Sequence, residues 1–202
     1  MPPKTRRRTQ EERSAETRGR LLQATIDLLV ERGYPRLTVA DIAKRAGVSN
    51  GARVHHFPTK EDLVVAANKQ LYGDAVALGT QRAAHVRDSK NPVGDCFDDL
   101  ISLYFGRFFL GSLDSVFAAR TDKRLARRIH PVVARYHAEI RRAWTGAFVE
   151  AGWSPAAAEE TYDVILHAVR GMALTSVRMP KPAPNRRLVE RVQRLLAAVP
   201  RR

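Results

Sequence analysis

The stretch from Leu37 to Leu63 constrains the fold more than any other part of the chain, because it holds two short helical patterns separated by a tight turn. Thr38 opens the first pattern, where its hydroxyl can accept a hydrogen bond from an amide that lacks an intrahelical partner. Gly47 follows at the position where a chain leaving a helix adopts a left-handed conformation at low cost. The residues that recur at helical spacing between them are Val39, Ile42, Ala43 and Ala46.

The second pattern begins at Ser49, which can cap a helix, and ends at Phe57 and Pro58. Small residues open this helix and polar or basic residues follow, which suits a DNA groove better than a protein core. At about 1.5 Å per residue the segment is roughly 12 Å long, enough for about four base pairs. The sequence therefore predicts a helix-turn-helix at about residues 38–57, with its second helix entering the major groove N-terminus first.

The motif extends beyond these two helices, because an amphipathic helix precedes it and ends in Glu31-Arg32-Gly33-Tyr34. Its key positions are Thr38, Ile42, Ala43, Ala46, Gly47, Val48, Ser49, Gly51, His56, Phe57, Lys60 and Leu63. Over roughly residues 16–75 this pattern resembles the tetracycline-repressor (TetR) family of bacterial transcriptional regulators. The resemblance implies an all-α fold, in which an N-terminal three-helix DNA-binding domain precedes a larger helical domain for effector binding and dimerisation.

The sequence departs from the family pattern at one point. Most members carry a leucine followed by a tyrosine that contacts a phosphate, and this chain has Arg53 and Val54 there. The usual phosphate contact is therefore missing, and Arg53 and His55 are the candidates to replace it.

Base contacts are predicted for the start and the exposed side of the second helix. Asparagine suits adenine, arginine suits guanine, and an alanine methyl can meet the methyl group of thymine. The candidates are Asn50, Gly51, Ala52, Arg53 and His55.

Phosphate contacts are predicted where hydroxyls, cations and free helix amides occur together. The candidates are Thr38, the amide of Val39, Ser49, His56, Lys60, Arg6, Arg7 and Arg8. Thr38 and Ser49 can also serve only as helix caps, and both roles are compatible.

Residues 47–51, GVSNG, also spell G-x-S-x-G, the nucleophile elbow of α/β-hydrolases. That elbow requires a buried β-strand immediately before the serine. The preceding residues, VADIAKRA, have helical periodicity and charged side chains instead. We therefore expect no enzyme at this motif.

Charge favours a polyanionic partner. The 202 residues contain 35 Lys and Arg against 21 Asp and Glu, a net charge of +14, and residues 1–60 carry 13 against 6. Residues 1–13 include Lys4, Arg6, Arg7 and Arg8 without apolar periodicity, which predicts a flexible basic arm. The alternative is a solvated terminus with no role in binding.

Cysteine content and hydropathy bear on the compartment. Cys96 is the only cysteine, so no intrachain disulfide can form. No apolar run approaches the roughly 20 residues of a membrane helix, and the N-terminus lacks the apolar region of a signal peptide. We expect a cytoplasmic protein with access to the nucleoid, without a membrane association and without a cofactor.

The chain after the motif has helical periodicity throughout and no convincing β alternation. One predicted helix runs from Phe97 past Phe108 and ends at Gly111. The predicted domains are a basic arm at residues 1–13, a DNA-binding domain at 14–73 and a helical effector-binding and dimerisation domain at 74–202.

Aromatic and polar residues on the middle helices are candidates for an effector pocket, as the resemblance implies. They are Phe97, Ile101, Tyr104, Phe108, Tyr136, His137, Ile140, Trp144, His167 and Arg170. An ordinary core explains the same spacing, so both interpretations stay open. His137 and His167 have no carboxylate or thiol partner at ligand spacing, and we expect no metal site.

The last two apolar helices predict a surface that pairs with a second copy, as in the resembled family. The interface candidates are Tyr162, Ile165, Val169, Met172, Leu188, Val192 and Leu195. A dimer also suits two half-sites on one face of a duplex.

Two functional hypotheses follow from these residues. The first is a repressor that binds an approximate inverted repeat as a homodimer and is released by a small, largely apolar effector. The alternative is an architectural or ligand-independent DNA-binding protein whose C-terminal domain only dimerises.

Overall fold

The structure is a computed structural model that describes residues 9–86, 89–179 and 183–198. Within those ranges it consists of nine α-helices and no β-strand, so the all-α prediction is confirmed. The helices are α1 (Gln10–Arg32), α2 (Val39–Ala46), α3 (Asn50–His56), α4 (Lys60–Ala84), α5 (Pro92–Tyr104), α6 (Arg107–Ala119), α7 (Lys123–Glu150), α8 (Pro155–Ser176) and α9 (Arg186–Ala197).

Side-chain caps fix where most of these helices begin. Thr38 accepts a hydrogen bond from the amide of Asp41, and Ser49 accepts one from the amide of Ala52. Such caps satisfy one of the amides that a helix start leaves unpaired, and each contributes about 1 kcal/mol. The same role is filled at six of the other helix starts by Thr9, Thr59, Asn91, Asp122, Ser154 and Asn185, whereas α6 begins after Gly106 without a side-chain cap.

α1 begins earlier than the sequence suggested. Thr9 and Glu12 form a capping box, in which each side chain accepts a hydrogen bond from the other residue's backbone amide. Residues 10–13 are therefore helical, and the prediction of a flexible arm at 1–13 is wrong for them. Residues 1–8 lie outside the described ranges.

The first three helices and the start of α4 enclose a small core. Leu21, Ile42 and Leu63 have no exposed surface, and Phe57 is 3% exposed where α3 ends. Burial of Leu21, Ile42 and Leu63 holds α1, α2 and α4 together, and burial of Phe57 anchors the end of α3.

α4 belongs to both halves of the molecule. Its first half supplies Leu63 and Val64 to the small core, and its second half supplies Tyr72 and Ala83 to the larger core formed with α5, α7, α8 and α9. The predicted domain boundary at residue 73 thus falls inside a continuous helix. α4 packs along α7 over most of its length.

The predicted helix from Phe97 to Gly111 is two helices. The break lies at Phe105 and Gly106, and a Cβ atom on Gly106 would come within 2.5 Å of the Ser102 carbonyl oxygen. Only glycine fits that turn. Gly111 lies inside α6 instead, close to Leu71 of α4.

Within the described ranges, no single helix has the length and apolar content of a membrane span. α5 and α6 meet those criteria only as a pair, and they are bent by 62° relative to each other.

Candidate nucleic-acid interface

The turn between α2 and α3 has the predicted geometry. Gly47 adopts a left-handed conformation with φ 64° and ψ 40°, and the amide of Val48 donates to the Ala43 carbonyl oxygen over 3.1 Å. Ser49 follows a helix rather than a strand, and its hydroxyl accepts a hydrogen bond from the amide of Ala52 over 3.2 Å. This is a helix-turn-helix, and the geometry of a nucleophile elbow is absent at Ser49.

α3 exposes a continuous surface of small and polar side chains. Asn50, Gly51 and His55 are exposed, and Ala52 is half-buried. Val54 is 43% exposed on the same face, although the sequence analysis did not predict it as a DNA contact. Its position four residues after Asn50 was the available signal, because residues i and i+4 share a helix face.

Arg53 does not lie on that surface, so the prediction of a base or phosphate contact by Arg53 does not fit the structure. It is 6% exposed and is the only buried residue of α3. Its Nη1 donates to the carbonyl oxygens of Phe57 at 3.0 Å and Pro58 at 2.9 Å, and its Nη2 donates to Asn50 Oδ1 at 2.6 Å. The guanidinium therefore ties the end of α3 to its beginning.

Lys60 is also held within the protein. Its Nζ donates to the Tyr34 carbonyl oxygen over 2.8 Å and lies 4.3 Å from the centre of the Tyr34 ring. Burial lowers the pKa of Lys60 below its ordinary value. These contacts do not support the predicted phosphate contact.

The remaining phosphate candidates have different surroundings. Thr38 and Ser49 are exposed at the N-cap positions just before α2 and α3, and Val39 is half-buried. Thr38 donates its hydroxyl hydrogen to the Asp41 carboxylate over 2.7 Å. His56 is half-buried and lies in a groove beside Phe57. Arg6, Arg7 and Arg8 lie outside the described residues.

Ion pairs connect the start of α4 to α7. Asp62 accepts a hydrogen bond from Arg128 at 2.7 Å and also caps α4 through Thr59. The Thr59 hydrogen bond and the Arg128 guanidinium lower the pKa of the Asp62 carboxyl below its ordinary value. Arg124 pairs with Glu61 at 3.2 Å. The larger domain thus contacts the helix that begins four residues after α3 ends.

Several predicted pocket residues form an aromatic cluster in the larger core. Tyr72, which the sequence did not nominate, packs against Phe108 and Tyr136, each with a centroid distance of 5.1 Å. Tyr104 lies 6.1 Å from Phe108 and is buried. Burial raises the pKa of Tyr72 to about 12 and that of Tyr136 well above its ordinary value.

Two cavities border this core. One of about 610 Å³ lies between α4 and α7 and is lined by Tyr72, Tyr136 and Arg135 among others. The other, of about 580 Å³, is lined by Trp144, whose indole nitrogen donates to the buried Asp99 at 2.9 Å. The predicted residues Phe97 and Ile140 are fully buried, and Ile101 is half-buried against them.

The polar pocket candidates do not all face this core. Burial, and secondarily the charge of Arg170, lower the pKa of His137 to about 4. The guanidinium of Arg170 lies 5.9 Å from the Tyr104 ring. His167 is exposed, and its Nδ1 lies 2.7 Å from the Asp163 carbonyl oxygen, so its assignment to a pocket is wrong.

The four residues predicted for a dimer surface on α8 do not lie on its surface. Tyr162, Ile165 and Val169 are at most 1% exposed and Met172 is 8% exposed, because these residues pack in the core of their own chain. The outward face of α8 carries Val164, His167, Gly171 and Leu174 at helical spacing. On α9, Leu188 and Leu195 are exposed, so their assignment to a dimer interface stays a prediction, and Val192 is half-buried against the core.

No group of three or more His, Cys, Asp or Glu side chains suited to hold a metal ion occurs among the described residues.

Together, the capped helix-turn-helix and the separate larger helical domain define a class of DNA-binding transcriptional regulator. Residues 21–67 match the family of bacterial regulatory proteins called tetR. The HTH-type transcriptional regulator CymR of Pseudomonas putida is 36% identical over 177 residues, which cover 88% of this chain and 86% of CymR. The chain belongs to the TetR family of transcriptional regulators.

Solved structures share the fold at lower identity. A transcriptional regulator from Saccharomonospora viridis in complex with choline superimposes with a TM-score of 0.71 at 15% identity, covering 91% of this chain and 97% of that one. The regulator FadR of Bacillus subtilis in complex with stearoyl-CoA gives 0.60 at 18% identity, covering 89% and 97%.

Proposed function

We propose that this chain is a repressor that binds an approximate inverted repeat as a homodimer and leaves it when a small molecule occupies the larger domain. The observation that supports this most is the combination of an exposed α3 surface with ion pairs from α7 to the first turn of α4. A ligand between α4 and α7 would then act on the helix that follows α3.

For DNA contact, we propose Asn50, Gly51, Ala52, Val54 and His55 as the side of α3 that faces the bases. Their exposure and the N-terminal position of Asn50 support this. Thr38, Ser49 and the amide of Val39 are proposed for phosphates, because unpaired amides at helix starts attract anions. Such a regulator would act in the cytoplasm, on the nucleoid.

For the dimer, we propose the outward face of α8 with Leu188 and Leu195 of α9. Val164 is 46% exposed, Leu174 is 48% exposed and Leu195 is 64% exposed. Exposed apolar side chains on two neighbouring helices gain free energy when a second copy covers them. Two copies would present two α3 helices to successive major grooves.

For the effector, we propose a largely apolar molecule held against the cluster of Tyr72, Tyr104, Phe108 and Tyr136. The regulators from S. viridis and B. subtilis hold choline and stearoyl-CoA, respectively. The cavity between α4 and α7 touches this cluster through Tyr72 and Tyr136. A ligand there would change the contact between α4 and α7, which favours a different spacing of the two α3 helices.

The test combines sedimentation with DNA binding to duplexes taken from upstream of the protein's own gene. A dimer that binds a specific duplex at moderate salt, and is released by one compound of a panel of apolar and amphiphilic molecules, supports the proposal. The same compound must raise the unfolding temperature, because ligand binding and stability are linked. Specific binding that no ligand changes, in a panel where none stabilises the protein, would favour the ligand-independent alternative.

A further inference from the structure

Arg53 is unusual because a buried arginine occupies one of seven positions in the helix proposed to contact bases. A buried guanidinium normally needs partners for its N–H groups. Here the partners of Nη1 are two carbonyl oxygens after the end of α3, and the partner of Nη2 is the side chain of Asn50, the first residue of α3, whereas the buried Nε has no hydrogen-bond partner. The buried charge therefore contacts one of the residues that the DNA would meet first.

The contact fixes the orientation of the Asn50 carboxamide. A guanidinium only donates hydrogen bonds, so the atom of Asn50 that faces Nη2 at 2.6 Å must be the oxygen, Oδ1. The amide nitrogen, Nδ2, is then the end left for other partners, and it only donates. Asn50 itself is exposed at the N-terminus of α3.

That orientation changes which base Asn50 can recognise. A free asparagine forms a bidentate pair with adenine, in which Oδ1 accepts from N6 and Nδ2 donates to N7. Arg53 takes one of the two lone pairs of Oδ1 and turns that oxygen towards the buried guanidinium, so the two N–H groups of Nδ2 are the end left for a base. Guanine offers two acceptors in the major groove, N7 and O6. Cytosine offers a donor there and would be disfavoured.

We propose that Arg53 is a positioning residue that holds Asn50 as a hydrogen-bond donor, so that Asn50 selects guanine rather than adenine in each half-site. This inference rests on the proposed DNA contact by α3. Arg53 does not touch DNA in this arrangement. It acts through the orientation of a neighbour.

Selection of binding sites from a library of random duplexes tests the inference with the full-length protein. The Asn50→Ala variant identifies the base pair concerned, because only the preference at that position should be lost. The wild-type protein should select guanine there. Arg53→Leu, which frees Oδ1, should shift the preference towards adenine by about fivefold or more, within the range that one bidentate pair provides.

Two further variants separate positioning from a structural role. Arg45→Leu removes the same charge from an exposed ion pair with Glu31, so it should leave the base preference unchanged. Asn50→Asp keeps an acceptor for Arg53 but has no donor, so it should lose the guanine preference and gain cytosine, whose N4 donates. Because Asn50 is exposed, this variant should fold even if Arg53→Leu does not, which circular dichroism will establish.

The outcomes are distinct. Equal base preferences of the wild type and Arg53→Leu, or selection of adenine by the wild type at the Asn50-dependent position, would overturn the inference while leaving DNA binding intact. If Arg53→Leu is unfolded, the inference is overturned instead by a guanine preference that persists in Asn50→Asp. Failure of the wild type to enrich any duplex would overturn the proposed function and this inference with it.

Discussion

α3 and α8 are held in place by different forces. α3 has seven residues and buries only Arg53, so its two ends are held by hydrogen bonds that the Arg53 guanidinium donates and by one that the Ser49 hydroxyl accepts. α8 has 22 residues and buries ten of them, so loss of apolar surface from water fixes it. Because hydrogen bonds rather than apolar contacts hold α3, its exposed face can consist of small and polar side chains.

α8 has the opposite character on its exposed side. It presents Val164 and Leu174 to solvent although its buried face already supplies the core. One helix therefore has apolar residues on two faces. On the proposed function, α3 meets a polar, hydrated partner, whereas α8 has two protein neighbours, its own core and a second copy.

The largest effect on the free energy of unfolding is expected for substitutions on the buried face of α8. Ile165→Ala should lower the free energy of unfolding by about 2–4 kcal/mol, because it leaves a cavity at a position with no exposed surface. Urea denaturation at one fixed protein concentration measures it. The neighbouring Val164→Ala, at 46% exposure in the single chain, is the matched control and should cost less than about 1 kcal/mol at a protein concentration below the dimer dissociation constant. If the two variants were equally destabilised, the assignment of the two faces would be wrong.

The next effect concerns the outward face of α8. A Cβ atom added to Gly171 meets nothing within 4 Å in the single chain, so Gly171→Arg should fold normally. A long charged side chain there should block a partner helix, raising the dimer dissociation constant by about tenfold or more. Analytical ultracentrifugation over a concentration series measures this change.

Gly146 of α7 is the control for that variant. It too is exposed within a helix and has open space around it. Gly146→Arg gains the same helix propensity and the same charge. A dimer that survives Gly171→Arg, or that dissociates equally in both variants, would remove the outward face of α8 from the interface.

A smaller effect on stability is expected at Asp62, where the start of α4 contacts α7. Asp62→Asn should lower the free energy of unfolding by about 1–2 kcal/mol at pH 7, because it weakens both the α4 cap and the pair with Arg128. The pKa of Asp62 is lowered in the folded protein, so its contribution is complete above the ordinary value of 3.8 and is lost as pH falls through the folded-state pKa.

Denaturation at pH 7 and near pH 3 therefore tests whether the charge of Asp62 causes the difference in stability. The difference between wild type and Asp62→Asn should shrink at the lower pH. Glu61→Gln is the control, because its partner Arg124 is 67% exposed and a pair of this kind contributes about 0.5 kcal/mol. A difference that is unchanged between the two pH values would mean that the charge of Asp62 has no part in the effect.

Local sequence was sufficient for features that depend on neighbouring residues. The caps at Thr38 and Ser49 and the left-handed Gly47 each need only a side chain and the next few amides, so their positions were predicted correctly. The all-α fold followed from helical periodicity.

Features that depend on the folded chain were not predicted. Arg53 is buried because the carbonyl oxygens of Phe57 and Pro58 turn back towards it after α3 ends. α8 has apolar residues on both faces, so periodicity shows two stripes and does not say which one faces the core. His167 was assigned to a pocket for the same reason, although it lies between Val164 and Gly171 on the outward face.

The smallest effect is expected on the exposed side of α3. Val54→Ala should leave stability within about 0.5 kcal/mol of wild type, because 43% of Val54 is already exposed. If Val54 meets the methyl group of a thymine, affinity for a selected duplex should fall about two- to fivefold. Val149→Ala, at 41% exposure on α7, should leave DNA affinity unchanged.

Replacing single thymines of that duplex by uracil, which lacks the methyl group, makes this test specific. The wild type should lose affinity at one thymine of each half-site, and Val54→Ala should be insensitive to the same replacement, because the contact is already gone. If both proteins respond equally to every replacement, Val54 does not contact a thymine methyl. In that case α3 would contact DNA through its polar groups alone, and its difference from the apolar outward face of α8 would be sharper.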